Sequence, residues 1–284
     1  MNKNVTESVY RISLDVTHRC NLKCKLCAAH VPYFKEPWHP TYDYLIKVVD
    51  KMFELIPTMD RLVIAGGEPL VRNDIADFFK YLLSYKERIY SRVEIITNGS
   101  ILPSRELLEI CKKFTRKDGC GQGIYFIVDN YGPKLSPKLY EIGELLNEYN
   151  IPYELRDYYK DLHCDGWVDF GNFSLKRSPE EGKKLFQKCA FPSRLNFCIK
   201  IFDGRIDPCA QSLHCMRMGL YDEKTEYINL FDNTSVEEKR EKLLSWYHLD
   251  TLRACQYCDG MCEDSKRFQP AEQLSIEEIQ KIRG

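Results

Sequence analysis

Between Arg11 and about Phe170, short apolar runs alternate with stretches whose apolar positions recur every three or four residues. The runs predict strands at Ile12–Val16, Arg61–Ala65, Val93–Ile96, Ile124–Val128, Pro152–Leu155 and Trp167–Phe170. Between them Leu45, Val48, Val49, Met52 and Ile56 share one helical face, as do Ile75, Phe78, Phe79, Leu82 and Leu83. Such stripes are core positions, and repeated strand–helix units predict an α/β fold around a parallel sheet. Helix starts are marked by Ser136 before Pro137, by Ser178-Pro179-Glu180-Glu181, and by the pairs Ser235/Glu238 and Ser275/Glu278.

The alternation stops near Lys176, which divides the chain into residues 1–175 and a smaller region, 176–284. Within the latter, Asn196 to Cys209 reads as a hairpin, with Phe197 to Phe202 extended, Asp203-Gly204 turning and Arg205 to Cys209 returning. Lys and Arg total 41 against 42 for Asp and Glu. That balance gives no electrostatic drive toward nucleic acid or a membrane surface, so a polar small molecule or a peptide is the expected partner. The longest apolar run, Ile124 to Val128, is far too short to span a bilayer, and Met1 to Tyr10 lacks a signal-peptide core. A cytoplasmic protein is expected.

Cysteine changes this bland picture. There are 13, an odd number without a secretion signal, which favours metal ligation over disulfides. Cys20, Cys24 and Cys27 follow the first strand directly, and thiolates so spaced can wrap one iron-sulfur cube from a single loop. Three ligands leave one iron open. Zinc is the alternative, with His30 as a candidate fourth ligand.

With Gly66-Gly67-Glu68-Pro69 after the second strand, this C-x3-C-x2-C loop resembles the radical S-adenosylmethionine (SAM) family over about Arg11 to Arg156. The resemblance implies an incomplete (β/α)6 barrel, a SAM-binding [4Fe-4S] cluster on Cys20, Cys24 and Cys27, and SAM itself as cofactor. In that family the open iron chelates the methionine end of SAM, and the glycine-rich turn receives its amino group. Thr97, Asn98, Asp129, Asn130 and Arg156, all after strand ends, would contact nucleoside or substrate, and Leu26 stands where many relatives place an aromatic beside the adenine. Active sites of α/β barrels lie on such loops.

The C-terminal cysteines resemble a twitch or shortened SPASM extension, a small domain of hairpin plus helices. The resemblance implies a second, auxiliary [4Fe-4S] cluster on Cys189, Cys209, Cys255 and Cys258. Cys215 and Cys262 are further candidate ligands, zinc would fit four thiols equally by spacing, and Cys198 reads as a small buried hydrophobe. Cys111 reads as a packing residue, and Cys120, just before the fourth strand, is expected at the barrel end away from the chemistry. Cys164 lies on the substrate side with His163, Asp165 and Trp167, where a thiol could return a hydrogen atom to a substrate radical.

The resemblance implies an oxidoreductase: reductive cleavage of SAM, then hydrogen abstraction from a sugar, aminocyclitol or nucleotide-sugar-like molecule. Oxidation is favoured over epimerisation, with a flavodoxin or ferredoxin as low-potential reductant. A maturase of ribosomally made peptides is the enzymatic alternative, and a non-catalytic electron-transfer or scaffold protein the other.

Overall fold

The computed structural model describes residues 8–114, 123–193 and 199–283. Five parallel strands follow one another, β1 (Ser8–Thr17), β2 (Thr58–Gly66), β3 (Ile89–Thr97), β4 (Gly123–Asn130) and β5 (Tyr153–Asp157). Helices α1 (Tyr42–Leu55), α2 (Ile75–Leu82), α3 (Arg105–Cys111) and α4 (Leu139–Glu148) connect them. The two predicted helical stripes lie buried in α1 and α2, except that Ile56 is buried one residue past α1 and Leu83 is half-buried one residue past α2, and Cys111 is buried on α3, as its spacing required.

The hairpin joins this sheet. Strands β7 (Ile199–Phe202) and β8 (Arg205–Asp207) turn at Asp203-Gly204, and β7 lies parallel to β1 with Ile12 opposite Ile199 and Leu14 opposite Ile201. With β9 (Ile228–Asn229) the order is β5-β4-β3-β2-β1-β7-β8-β9, an open sheet consistent with an incomplete barrel. Alternation along the strands separates two faces. Ile12, Leu14, Val16, Ile64, Ile95, Phe126 and Ile201 enter the core beneath the helices. The opposite face carries Asp15, Lys200, Asp129 and Glu94, the last held by Arg92 at 2.8 Å and Arg11 at 3.3 Å.

Two expectations fail. Trp167–Phe170 is not a barrel strand: β6 (Trp167–Val168) pairs antiparallel with β10 (Arg267–Phe268) in a separate ribbon. The connection from β5, residues 158–166, is shorter than the dozen or so residues a parallel crossover needs. Ser136 does not cap a helix either. Helix α4 begins at Leu139, and the buried Ser136 hydroxyl instead meets Asn98 O at 2.8 Å and Asp129 O at 3.0 Å while accepting from Tyr131 N at 2.9 Å.

The other three starts form reciprocal capping boxes, opening α5 (Pro179–Lys188), α8 (Val236–Ser245) and α9 (Ile276–Arg283). Two further helices, α6 (Ala190–Ser193) and α7 (Ala210–Arg217), flank the hairpin. Cys120, Cys198 and the start of the predicted hairpin at Asn196 lie outside the described residues. No helix among the described residues is long and apolar enough to cross a membrane.

Candidate active site at the strand ends

Strands β1 and β2 end side by side at Thr17 and Gly66, and the cysteine loop and the glycine turn leave them together. Gly67 N donates to Thr17 O at 2.7 Å and Glu68 N to Arg19 O at 2.9 Å. Only glycine permits this approach: a Cβ at Gly66 would stand 2.2 Å from Thr17 O, and one at Gly67 2.2 Å from Arg19 O. Gly66 also has φ +125°, a conformation that L side chains rarely adopt. Pro69 opens the short turn Pro69–Val71 behind them.

Glu68 is spent on the scaffold. Its carboxylate accepts from Leu70 N at 3.0 Å and from Asn98 N at 2.8 Å, tying the end of β2 to that of β3. Burial pushes it up to about 7. Thr97 Oγ1 accepts from Gly99 N, and the Asn98 amide reaches Asn21 Oδ1 at 3.0 Å and Cys20 Sγ at 3.8 Å. Asn98 therefore touches the cysteine loop directly, whereas Thr97 supports the turn beneath it.

At the ends of β4 and β5, Arg156 Nε donates to Asp129 Oδ1 at 2.6 Å and Tyr131 Oη to Asp129 Oδ2 at 2.9 Å. Burial pushes the Asp129 carboxyl up, against the opposing pull of Arg156. Asn130 is a turn residue, bonded to Asp157 and to Gly132 N. Tyr131 stacks on Tyr158 at 5.4 Å and meets Trp167 edge-on at 5.6 Å, while His163 abuts Tyr158. Tyr131, Leu135 and Trp167 pack with Leu22, Cys24 and Ala271 into an apolar lid over the cysteine loop. Cys164 and Asp165 stand apart from that lid, Cys164 exposed, in a turn with positive φ at Leu162, Cys164 and Asp165.

The three loop thiols lie together, Cys24 buried and Cys20 and Cys27 half-buried. Burial pushes Cys20 up to about 11 and Cys24 to about 12 and raises Cys27, with smaller mutual effects of Cys27 on the other two. Thiols so placed are poor anions by themselves, and a bound cationic iron group is what would deprotonate them. Soft donors on one short loop fit an iron-sulfur cube. Among the described residues no three His, Cys, Asp or Glu side chains converge as the ligands of a single metal ion would. His30 turns elsewhere: its Nε2 pairs with Gln211 Oε1 at 2.8 Å, and its ring stacks on His214 at 3.6 Å.

Residues 14–118 match the family model of the radical SAM superfamily. The chain carries a radical SAM domain. Over 121 residues it is 26% identical to 7,8-dihydro-6-hydroxymethylpterin dimethyltransferase of Methanocaldococcus jannaschii, covering 40% of this chain and 23% of that protein. The chain thus spans well under two thirds of that relative's length. Among solved structures, BtrN in complex with AdoMet and 2-DOIA aligns with TM-score 0.53 and 19% identity, covering 94% of this chain and 98% of BtrN. Streptococcus suis SuiB bound to S-adenosylmethionine aligns with TM-score 0.53 and 13% identity, covering 94% and 76%. At these identities the likeness shows a shared fold.

Beyond the radical SAM domain, the later cysteines also gather. Cys189 follows α5, Cys209 immediately precedes α7, and the turn Arg253–Gln256, which carries Cys255, lies against both helices with Cys258 two residues beyond it. Gly260 N donates to Cys258 Sγ at 3.2 Å, and Met261 N to Cys189 Sγ at 3.5 Å. Burial raises Cys209 far and pushes Cys255 up to about 12, and Cys189 adds to both. Cys189 also bears on Cys258 and Cys262, while Cys215 neighbours Cys255 and Cys258. All six candidates therefore share one region, and their soft donor set suits an iron-sulfur group.

The sequence reading missed two features beside the radical SAM loop. Asp15, fully buried, pairs with Lys200 at 2.5 Å and with His18 at 2.8 Å, and the only sequence signal was a lysine inside the apolar run of β7. Next to it a cavity of about 550 Å³ is walled by Leu26, Cys27, His30, Phe173, His214 and Arg217. Leu26 thus faces open space, and burial pushes His30 down to about 4 and His214 to about 3, so both line it as neutral rings.

Proposed function

We propose that this radical SAM protein reductively cleaves SAM and oxidises a polar small molecule of the sugar, aminocyclitol or nucleotide-sugar class by hydrogen abstraction. The observation that carries the reading is the locking of the Cys20–Cys27 loop onto the Gly66-Gly67 turn by backbone bonds that no side chain could permit. When bound, a [4Fe-4S] cluster and SAM supply the electron and the 5'-deoxyadenosyl radical. Cys20, Cys24 and Cys27 would hold that cluster, and the turn at Gly66-Gly67, packed against the start of the cysteine loop, would receive the methionine end. Asn98 and the Asp129–Arg156 pair offer polar contacts at the neighbouring strand ends. Tyr131, Leu135 and Trp167 exclude water from the loop.

Residues 176–284 form the auxiliary part of this reading, with Cys189, Cys209, Cys255 and Cys258 holding a second cluster as electron acceptor and Cys215 and Cys262 as spare thiols. The gathering of these buried and half-buried thiols supports it, as does the fold shared with BtrN, whose complex contains AdoMet and 2-DOIA. A flavodoxin or ferredoxin would supply the first electron, in the cytoplasm. Peptide modification is the second reading, favoured by the fold shared with SuiB, solved bound to precursor peptide SuiA.

Reconstituted protein should carry about eight irons, halved when Cys20, Cys24 and Cys27 are replaced by Ala. Saturation at one cluster, or zinc at the second site, removes the acceptor. For the reaction, Cys164→Ala should retain oxidised product. An inverted product carrying solvent deuterium, and lost in that variant, would replace oxidation by epimerisation.

A further inference from the structure

The cysteine loop is held from outside by the last stretch of the chain. Cys24 and Gln273 form an antiparallel bridge, flanked by Lys25 N donating to Glu272 O and Leu274 N to Lys23 O, each at 2.8 Å. The pairing of β10 with β6 anchors this strap upstream, and α9, capped by Ser275 and Glu278, anchors it downstream. Lys25 pairs with Glu272 at 2.7 Å and Glu278 at 3.5 Å.

Gln273 lies at the centre. Its Oε1 accepts from Lys23 N at 2.7 Å, which only the carbonyl end of the amide can do, so the amide orientation is fixed. Nε2 then faces Cys24 Sγ at 3.2 Å and Ala271 O at 2.7 Å, donating one proton to each. Cys24 is buried, with little water to replace that donor. Hydrogen bonds to ligating sulfur stabilise the more negative, reduced state of an iron-sulfur cluster and raise its potential.

We propose that the strap at residues 271–275 is a positioning element of the cluster loop, and that Gln273, by donating to Cys24 Sγ, raises the reduction potential of the cluster held there. This rests on Cys20, Cys24 and Cys27 being the ligands. Gln273→Glu keeps an acceptor for Lys23 N but loses the donor to sulfur. Gln273→Leu loses both, and Glu272→Gln removes only the charge opposite Lys25.

The test is an EPR-monitored redox titration of the full, anaerobically reconstituted chain, following the signal that changes on adding SAM. The midpoint should fall in both Gln273 variants and stay in place in Glu272→Gln. Hydrogen exchange of the cluster-free protein should show the Lys25 and Leu274 amides protected in Gln273→Glu and faster in Gln273→Leu. An unchanged or raised midpoint in Gln273→Leu overturns the inference while leaving the ligands intact. A wild-type protein without a SAM-responsive cluster, its iron insensitive to loss of the three loop cysteines, overturns the ligand reading and this inference with it.

Discussion

Gly67→Ala isolates the close approach on which the site is built. The substitution adds one methyl group, at a glycine whose neighbour Gly66, not Gly67, carries the positive φ. Its Cβ would stand 2.2 Å from Arg19 O and 2.7 Å from Arg19 C, both rigid backbone. The turn and the start of the cysteine loop must then part by roughly 1 Å, since repulsion rises steeply inside contact distance. That stretches the bonds Gly67 N to Thr17 O, 2.7 Å, and Glu68 N to Arg19 O, 2.9 Å. Two weakened bonds at about 1 kcal/mol each, plus the strain of the displaced turn, give a loss of about 2–4 kcal/mol. For a chain of this size that is a fall in Tm of about 3–7 °C. Gly143→Ala is the control, since its Cβ meets only the Tyr153 hydroxyl at 3.2 Å and alanine favours the helix. Thermal unfolding of the cluster-free proteins, with SAM binding to the reconstituted ones, reads both effects. The reasoning is refuted if Gly67→Ala unfolds like the control and binds SAM as the wild type does.

Asp15→Asn should destabilise by about 3 kcal/mol, because it leaves the buried Lys200 ammonium uncompensated, and adding Lys200→Met should restore most of the loss in a denaturation cycle. Ser136→Ala should cost about 1–3 kcal/mol in urea unfolding, because it strands Tyr131 N and the strand-end carbonyls. Burial raises the folded pKa of Glu68 to about 7, above the 4.5 of a free glutamate, so between these values the folded state keeps a proton the unfolded chain has lost. Its contribution is therefore present below about pH 4.5 and lost as pH rises through 7, and Glu68→Gln should flatten stability over that window when unfolding is followed against pH.

Features legible in the sequence were those whose cause is local. Alternation marked β1 to β5, the cysteine spacing and the adjacent Gly66-Gly67 marked the site, Asp203-Gly204 marked the hairpin turn, and three serine–glutamate pairs marked helix starts. Features with distant causes were not legible. Trp167–Phe170 has a strand's composition, but its partner is set by the short connection from β5 and by Arg267–Phe268. Ser136 carries a helix-start signature, yet its hydroxyl is claimed by two strand ends. The strap on Cys24 comes from a residue 249 positions away, and its backbone pairing leaves no trace in composition. Local patterns thus located the cysteine loop, and only the folded chain reveals what surrounds it.

The central claim is that the Cys20–Cys27 loop and the Gly66-Gly67 turn together cleave SAM. The most direct measurement is 5'-deoxyadenosine formed by anaerobically reconstituted, dithionite-reduced protein supplied with SAM. The account predicts its formation by the wild type and its loss in Cys24→Ala. A fully clustered wild-type protein that yields none, even with candidate substrates present, contradicts it.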